Sequence, residues 1–131
     1  MKHDESVFQA QCVEWYRLQY PDMIIFAIPN GGYKLSAQLA YRFKAMGVLK
    51  GVPDLFVPHA RNGYNGMFIE IKLPTTRATR EQDEMHAVLK EENFRVEICR
   101  TIDEFIRTVQ EYLGRRHFRD ATPLRDGKEN Q

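Results

Sequence analysis

The sequence of 131 residues is poor in cysteine and has no long apolar run. Its two cysteines, Cys12 and Cys99, form no Cys-x-x-Cys pair, so we expect reduced thiols and neither a disulfide scaffold nor a cysteine-ligated metal. No stretch approaches the ~18 consecutive apolar residues of a membrane span. The N-terminus also lacks the apolar centre of a signal peptide. We therefore expect a cytoplasmic protein that is not secreted and does not enter the membrane.

The sequence also lacks an excess of charge of either sign. Its formal net charge is +1, so any surface for nucleic acid must come from local clusters of Lys and Arg. The hydrophobic fraction of 43% and the length fit one globular domain. We assign this domain to residues 1–113 and predict that the polar residues 114–131 form a flexible C-terminal tail.

Hydrophobic periodicity and capping residues predict eight elements in the order α-β-α-β-β-α-β-α. Capping-box spacing occurs at Thr79 with Gln82 and at Thr101 with Glu104. Two Asn-Gly pairs within residues 58–66 predict an antiparallel hairpin between the second and third strands. The alternation predicts an α/β fold with a mixed central sheet flanked by helices. The first helix is predicted over about residues 5–19, and the other three begin after the capping residues Ser36, Thr79 and Thr101. The predicted strands are residues 24–28, 54–57, 67–73 and 95–99.

The predicted helices should bury specific apolar faces. The helix after Ser36 carries Leu39, Phe43 and Met46 on one side. The helix after Thr79 carries Met85, Val88, Leu89 and Glu92 on one side. The strand at residues 24–28, Ile-Ile-Phe-Ala-Ile, should be buried because it is rich in β-branched and aromatic residues.

The third strand combines an acid and a base in the stretch Glu-Ile-Lys. Glu70 and Lys72 point to the same face because side chains alternate along a strand. Asp54 begins the neighbouring antiparallel strand and can lie across from them. Two carboxylates at one point repel each other unless a cation lies between them, and hard oxygen ligands suit Mg²⁺ or Mn²⁺. The alternative is that all three residues are solvated surface charges.

The first helix contains two acids with different expected directions. Glu5 lies within about 20° of Cys12 on a helical wheel, at 100° per residue, and so shares the inward stripe. Glu14 points to the opposite side and should meet only water. Glu5 is therefore the candidate fourth residue of the site, although an acid in the first turn is also favoured by the helix dipole.

These motifs resemble a known nuclease family. "GVPDLFV", "GMFIEIK" and "TREQ" follow one another in the order found in the PD-(D/E)xK superfamily and, within it, the VRR-NUC family. The upstream helix "ESVFQAQCVEW" resembles the family's first helix, aligning Glu5 and Gln9, and "PNGG" resembles the loop after its first strand. The resemblance runs from about residue 5 to residue 112.

The resemblance implies a restriction-endonuclease-like core and a metal-dependent endonuclease. Asp54, Glu70 and the main-chain carbonyl of Ile71 would bind Mg²⁺ or Mn²⁺, and Lys72 would position or activate the attacking water. Glu5 would support the metal site, and Gln82 would orient Lys72 or the substrate. Short proteins of this kind resemble homodimers from bacteria or viruses that cut branched or Holliday-junction DNA and leave a 5′-phosphate and a 3′-hydroxyl.

DNA contacts are expected from the loop after the first strand and from basic residues near the site. Main-chain N–H groups of "PNGGYK" suit phosphate, and an aromatic ring suits stacking. Basic residues of the second helix, Arg42 and Lys44, are each better explained as a solvated face. The predicted DNA-binding residues are Asn30, Gly31, Tyr33, Lys34, Lys50, Arg77 and Arg80.

Two other functions remain open from the sequence. A nucleic-acid-binding module without catalysis could use the same fold, but it would not need Asp54, Glu70 and Lys72. A sequence-specific restriction enzyme shares this chemistry, but a chain of 131 residues leaves little room for a base-reading insertion.

Overall fold

Four strands form one mixed sheet in the computed structural model, which describes residues 2–29 and 35–116. The elements follow the predicted order. Residues 30–34, with the predicted contacts Asn30, Gly31, Tyr33 and Lys34, and residues 117–131 of the predicted tail lie outside the described residues. The elements are α1 (Lys2–Gln19), β1 (Phe26–Ala27), α2 (Ala37–Ala45), β2 (Leu55–Val57), β3 (Met67–Ile71), α3 (Arg80–Glu91), β4 (Arg95–Cys99) and α4 (Ile102–Leu113).

The sheet has the strand order β1-β2-β3-β4, and this arrangement confirms the predicted mixed α/β fold. β1 pairs with β2, and β2 with β3, in antiparallel orientation, whereas β3 and β4 are parallel. The β2–β3 reversal contains Asn62 and Gly63, with φ values of 53° and 84°. Asn and Gly adopt such positive φ values readily, so the predicted hairpin is confirmed. The parallel strand β4 needs a crossover, and α3 provides it.

The hydrophobic core lies between the sheet and the pair α1 and α4. Ile69 and Ile71 of β3 are fully buried there, together with Cys12 from α1 and Phe105 from α4. Both cysteines are buried and free, as predicted. Burial raises the pKa of the Cys12 thiol to about 12 and that of Cys99 to about 11, so neither is a reactive thiolate at neutral pH.

The opposite face of the sheet is covered by α3, whose first turn has the predicted capping box. The Thr79 hydroxyl accepts a hydrogen bond from the Gln82 main-chain N–H, and the Gln82 side chain accepts one from the Thr79 N–H. The predicted inward face is wrong at two of its four residues, because Val88 is 54% exposed and Glu92 is exposed as well. His86 is the buried residue of this helix. The helix is therefore rotated so that polar side chains point at the sheet.

Three further expectations need correction. The strand predicted to be buried at residues 24–28 consists of Phe26 and Ala27, which are both exposed. None of the nine residues of α2 is buried, so its apolar face does not enter the core. The box at Thr101 is only half formed, because the Glu104 carboxylate accepts from the Arg100 N–H at 2.7 Å.

The end of α4 contacts the turn after α1. The Tyr20 hydroxyl donates to the Gly114 carbonyl at 2.6 Å, and Arg116 pairs with Asp22. The division into residues 1–113 and 114–131 stays a prediction. Within residues 2–29 and 35–116, no helix is both long and apolar enough to cross a membrane.

Candidate active site

The sheet register places Asp54 and Glu70 side by side. Leu55 pairs with Ile69 across β2 and β3, so the residues next to them, Asp54 and Glu70, are also neighbours. The Asp54 side chain is fixed by the main chain of β3, because its Oδ2 accepts a hydrogen bond from the Ile71 N–H at 2.7 Å. Its own carbonyl accepts from the Ile28 N–H at 2.9 Å. Asp54 thus lies on the sheet even though it precedes β2.

The turn before Asp54 is in close contact with the start of α3. A Cβ atom at Gly51 would lie 2.5 Å from the Glu81 carbonyl oxygen, a distance that a real side chain cannot adopt, and φ at Gly51 is +90°. Only glycine fits both conditions without strain. This contact brings Asp54 and the first turn of α3, with Gln82, to the same place.

Glu70 and Lys72 are buried, with exposed fractions of 1% and 5%. The interpretation of these two residues as solvated surface charges is therefore wrong. Burial raises the pKa of Glu70 to about 6, against the opposing effects of a hydrogen bond with Asp54 and the charge of Lys72; the nearby charge of Glu5 raises it further. The main-chain N–H of Lys72 donates to the Cys99 carbonyl at 3.1 Å, which extends the β3–β4 pairing to Lys72.

The first two turns of α3 supply two contacts to Glu70. The Gln82 amide donates from Nε2 to Glu70 Oε2 at 3.2 Å while its Oε1 completes the capping box. His86 Nε2 lies 3.4 Å from Glu70 Oε1. The sequence prediction missed His86, although its position four residues after Gln82 put both on one face of a helix.

Glu5 and Glu14 of α1 differ in the way the helical wheel predicted. Glu5 is half-buried and close enough for its charge to raise the pKa of Glu70, whereas Glu14 is exposed. The structure therefore brings Asp54, Glu70, Lys72, Gln82 and Glu5 together. The chemical role of each residue stays a prediction.

The donor set fits a hard divalent cation. In the described part of the chain, no group of three or more His, Cys, Asp and Glu side chains could hold a metal ion. A cation here would rely on Asp54 and Glu70 with main-chain or water oxygen, and Mg²⁺ commonly binds through one or two carboxylates while keeping several waters. Burial, the largest cause of the raised pKa of Glu70, disfavours the charged carboxylate, and a bound cation would offset this effect.

The basic residues predicted to contact DNA and included in the described ranges are all on the surface. Lys50, Arg77 and Arg80 are exposed. Arg80 forms an exposed ion pair with Glu84 at 2.9 Å, one turn along α3. An exposed pair of this kind contributes little stability, so Arg80 stays available to a phosphate.

The sheet, the helices on both of its faces and the arrangement of Asp54 beside the buried Glu70 and Lys72 define an α/β protein with a restriction-endonuclease-like core. The VRR-NUC domain family matches residues 3–102. Because this match spans most of the chain, the protein belongs to the VRR-NUC family, a family of nucleases. Among solved structures, one described as "VRR_NUC domain protein" is 29% identical, with a TM-score of 0.71, and the alignment covers 86% of this chain and 95% of that one. No curated protein matches this chain.

Proposed function

We propose that this protein is a metal-dependent DNA endonuclease that hydrolyses phosphodiester bonds and selects its substrate by structure. The observation that carries the proposal is the burial of Glu70 and Lys72 on one face of β3 next to Asp54. Burying charged groups costs free energy unless they are paired, and a merely structural strand would carry apolar residues there. An acid pair with a lysine beside it is instead suited to phosphate chemistry.

The proposed cofactor is Mg²⁺ or Mn²⁺, held by Asp54, Glu70 and the Ile71 carbonyl. When bound, such an ion supplies Lewis-acid polarisation of the phosphate and makes an attacking water more acidic.

The chain's own residues have separate tasks in the proposed reaction. Lys72 places a point positive charge beside the carboxylates, where it orients the water and stabilises the charge that develops on the phosphate. Gln82 keeps Glu70 in place through its amide. Glu5 adds negative charge beside Glu70 and so favours cation binding. In-line attack of water forms a new P–O bond and breaks the bond between phosphorus and the 3′ oxygen. The attacking water gives up a proton and the leaving 3′ oxygen takes one up from solvent, so the products are a 5′-phosphate and a 3′-hydroxyl.

We further propose branched or Holliday-junction DNA as the substrate and a homodimer as the active form. Cutting two strands of a junction requires two active sites, which a homodimer supplies. Support comes from Leu39 and Tyr41 of α2 and from Met46 at its C-terminal cap, which are all exposed, since exposed apolar side chains close together suit contact with another copy.

The test is cleavage of a labelled panel of DNAs: single strand, duplex, flap, splayed arm and four-way junction. Each is incubated with Mg²⁺, Mn²⁺ or EDTA, and the wild-type protein is compared with Lys72→Ala. We expect cutting by the wild type alone, only with metal, and at paired positions across the junction. Tight binding without cleavage in any metal would instead favour the module without catalysis. The molar mass in solution, measured by light scattering, tests the dimer separately.

A further inference from the structure

Both oxygens of the Glu70 carboxylate have a partner from the same helix. Gln82 Nε2 lies 3.2 Å from Oε2, and His86 Nε2 lies 3.4 Å from Oε1. Gln82 and His86 are four residues apart on α3 and therefore lie one above the other on its inner face. The two side chains hold the carboxylate between them.

The contact with His86 is secluded from water. The exposed fractions of the two side chains are 9% for His86 and 2% for Glu70. Water therefore competes weakly for this hydrogen bond, which makes the loss of either partner costly. The position of His86 is set by α3, because the helix is fixed at its start by the capping box at Thr79 and by the contact between Gly51 and Glu81.

A carboxylate at the end of a glutamate side chain turns easily, because its terminal torsion has broad minima. An ionised carboxylate only accepts hydrogen bonds, so with the proton of the His86 ring on Nε2 there is one donor on each oxygen, and this restricts the rotation. Each carboxylate oxygen has two lone pairs, so each oxygen keeps acceptor capacity for another ligand after it has accepted one hydrogen bond. Two donors on α3 thus orient the group without using all of its capacity.

We infer that His86 is a positioning residue, which together with Gln82 fixes the orientation in which Glu70 receives the divalent cation. The inference rests on the proposed function, because it concerns the same site. His86 acts through Glu70 and does not touch the reacting atoms. Partners that hold a metal-binding carboxylate typically change metal affinity by about 10- to 100-fold when they are removed.

The experiment compares His86→Leu, which removes the donor, with His86→Gln, whose amide nitrogen reaches to about the position of His86 Nε2. Leu89→Ala is the matched control. It truncates a half-buried side chain of the same helix, and leucine has no donor that could hydrogen-bond to Glu70. Mn²⁺ affinity is measured for each protein without DNA by calorimetry, and thermal stability is measured without metal. The Mn²⁺ concentration for half-maximal cleavage and the rate at saturating Mn²⁺ complete the comparison.

We expect His86→Leu to bind Mn²⁺ about tenfold more weakly and to need correspondingly more Mn²⁺ for cleavage, with most of the rate recovered at saturation. His86→Gln should stay near the wild type. Leu89→Ala should lose thermal stability and keep its Mn²⁺ affinity, because a general loosening of α3 does not remove a donor from Glu70.

Unchanged Mn²⁺ affinity in His86→Leu would overturn the inference and leave the proposed function intact. So would equal weakening in His86→Leu and His86→Gln, since that pattern indicates packing and not hydrogen bonding. A wild-type protein that binds no Mn²⁺ would overturn the proposed function and the inference with it.

Discussion

The two faces of β3 are equally buried and chemically opposite. Ile69 and Ile71 are 0% and 1% exposed on the side of α1 and α4, and Glu70 and Lys72 are 1% and 5% exposed on the side of α3. The first face stabilises the fold by removing apolar surface from water. The second face costs free energy, since it takes charges out of water. Burial therefore does not distinguish the hydrophobic core from the candidate site. The two faces differ in the side chains that they contact.

The largest expected difference between the faces is in catalysis. Lys72→Ala should lower the cleavage rate on the order of 10²–10³-fold, the usual effect of losing a group that stabilises transition-state charge. Its unfolding midpoint at neutral pH should fall as well, because the charge of Lys72 stabilises the buried Glu70 carboxylate, so cleavage is compared at a temperature at which both proteins are folded. Lys90→Ala, at the exposed end of α3, is the control lysine. Cleavage by Lys72→Ala at the wild-type rate would exclude Lys72 from the mechanism.

The apolar face is tested by Ile69→Ala, which should lower the free energy of unfolding by roughly 3 kcal/mol through lost burial and a cavity. Urea denaturation measures this loss. Ile98→Ala, at a position that is 37% exposed on β4, should cost clearly less. Similar losses for the two variants would mean that the buried side of β3 relaxes around the cavity.

The charged face should give the metal-free protein a distinctive pH dependence. The pKa of Glu70 is raised from 4.5 to about 6, so between these values the folded state binds more protons than the unfolded state. The free energy of unfolding therefore falls as the pH rises through this window, by roughly 2 kcal/mol. Glu70→Gln should flatten this decrease, and Glu91→Gln, on the exposed side of α3, should not. The decrease is measured from unfolding curves at pH 4.5 and 7. An equal decrease in the free energy of unfolding in the wild type and both variants would contradict the expectation.

The smallest expected effect separates Glu5 from Glu14 on α1. Glu5→Gln should weaken cleavage about tenfold at limiting metal, because Glu5 adds negative charge near Glu70. Glu14→Gln should match the wild type, since that side chain is exposed. The cleavage rate is measured over a series of Mn²⁺ concentrations. Equal losses of cleavage in the two variants would show that the position of Glu5 near Glu70 has no special effect.

The sequence predicted the element order and the hairpin because these depend on local rules. Asn62-Gly63 fits the turn that needs two positive φ values, and Thr79 caps α3 through its own hydroxyl. The pairing of Asp54 with Glu70 followed from the hairpin. The strand order depended on tertiary packing, which no local pattern encodes, and it could not be predicted.

The inner face of α3 was not predictable from apolar periodicity. That rule assumes that a helix buries its apolar residues, but α3 covers a charged site and therefore buries His86 and turns Val88 outward. The same rule predicted a buried face on α2, none of whose residues is buried. In both cases the pattern showed that an amphipathic helix exists and did not show what it faces.

Gly51 allows the shape of the site to be altered separately from its charges. A side chain at this position would meet the main chain of α3, which cannot move aside as the end of a flexible side chain would. Replacing Gly51 should therefore push the turn that leads to Asp54 away from α3 while every ionisable group keeps its identity. Such a variant would show how much the cleavage rate depends on the distance between Asp54 and Glu70, because both carboxylates are still present.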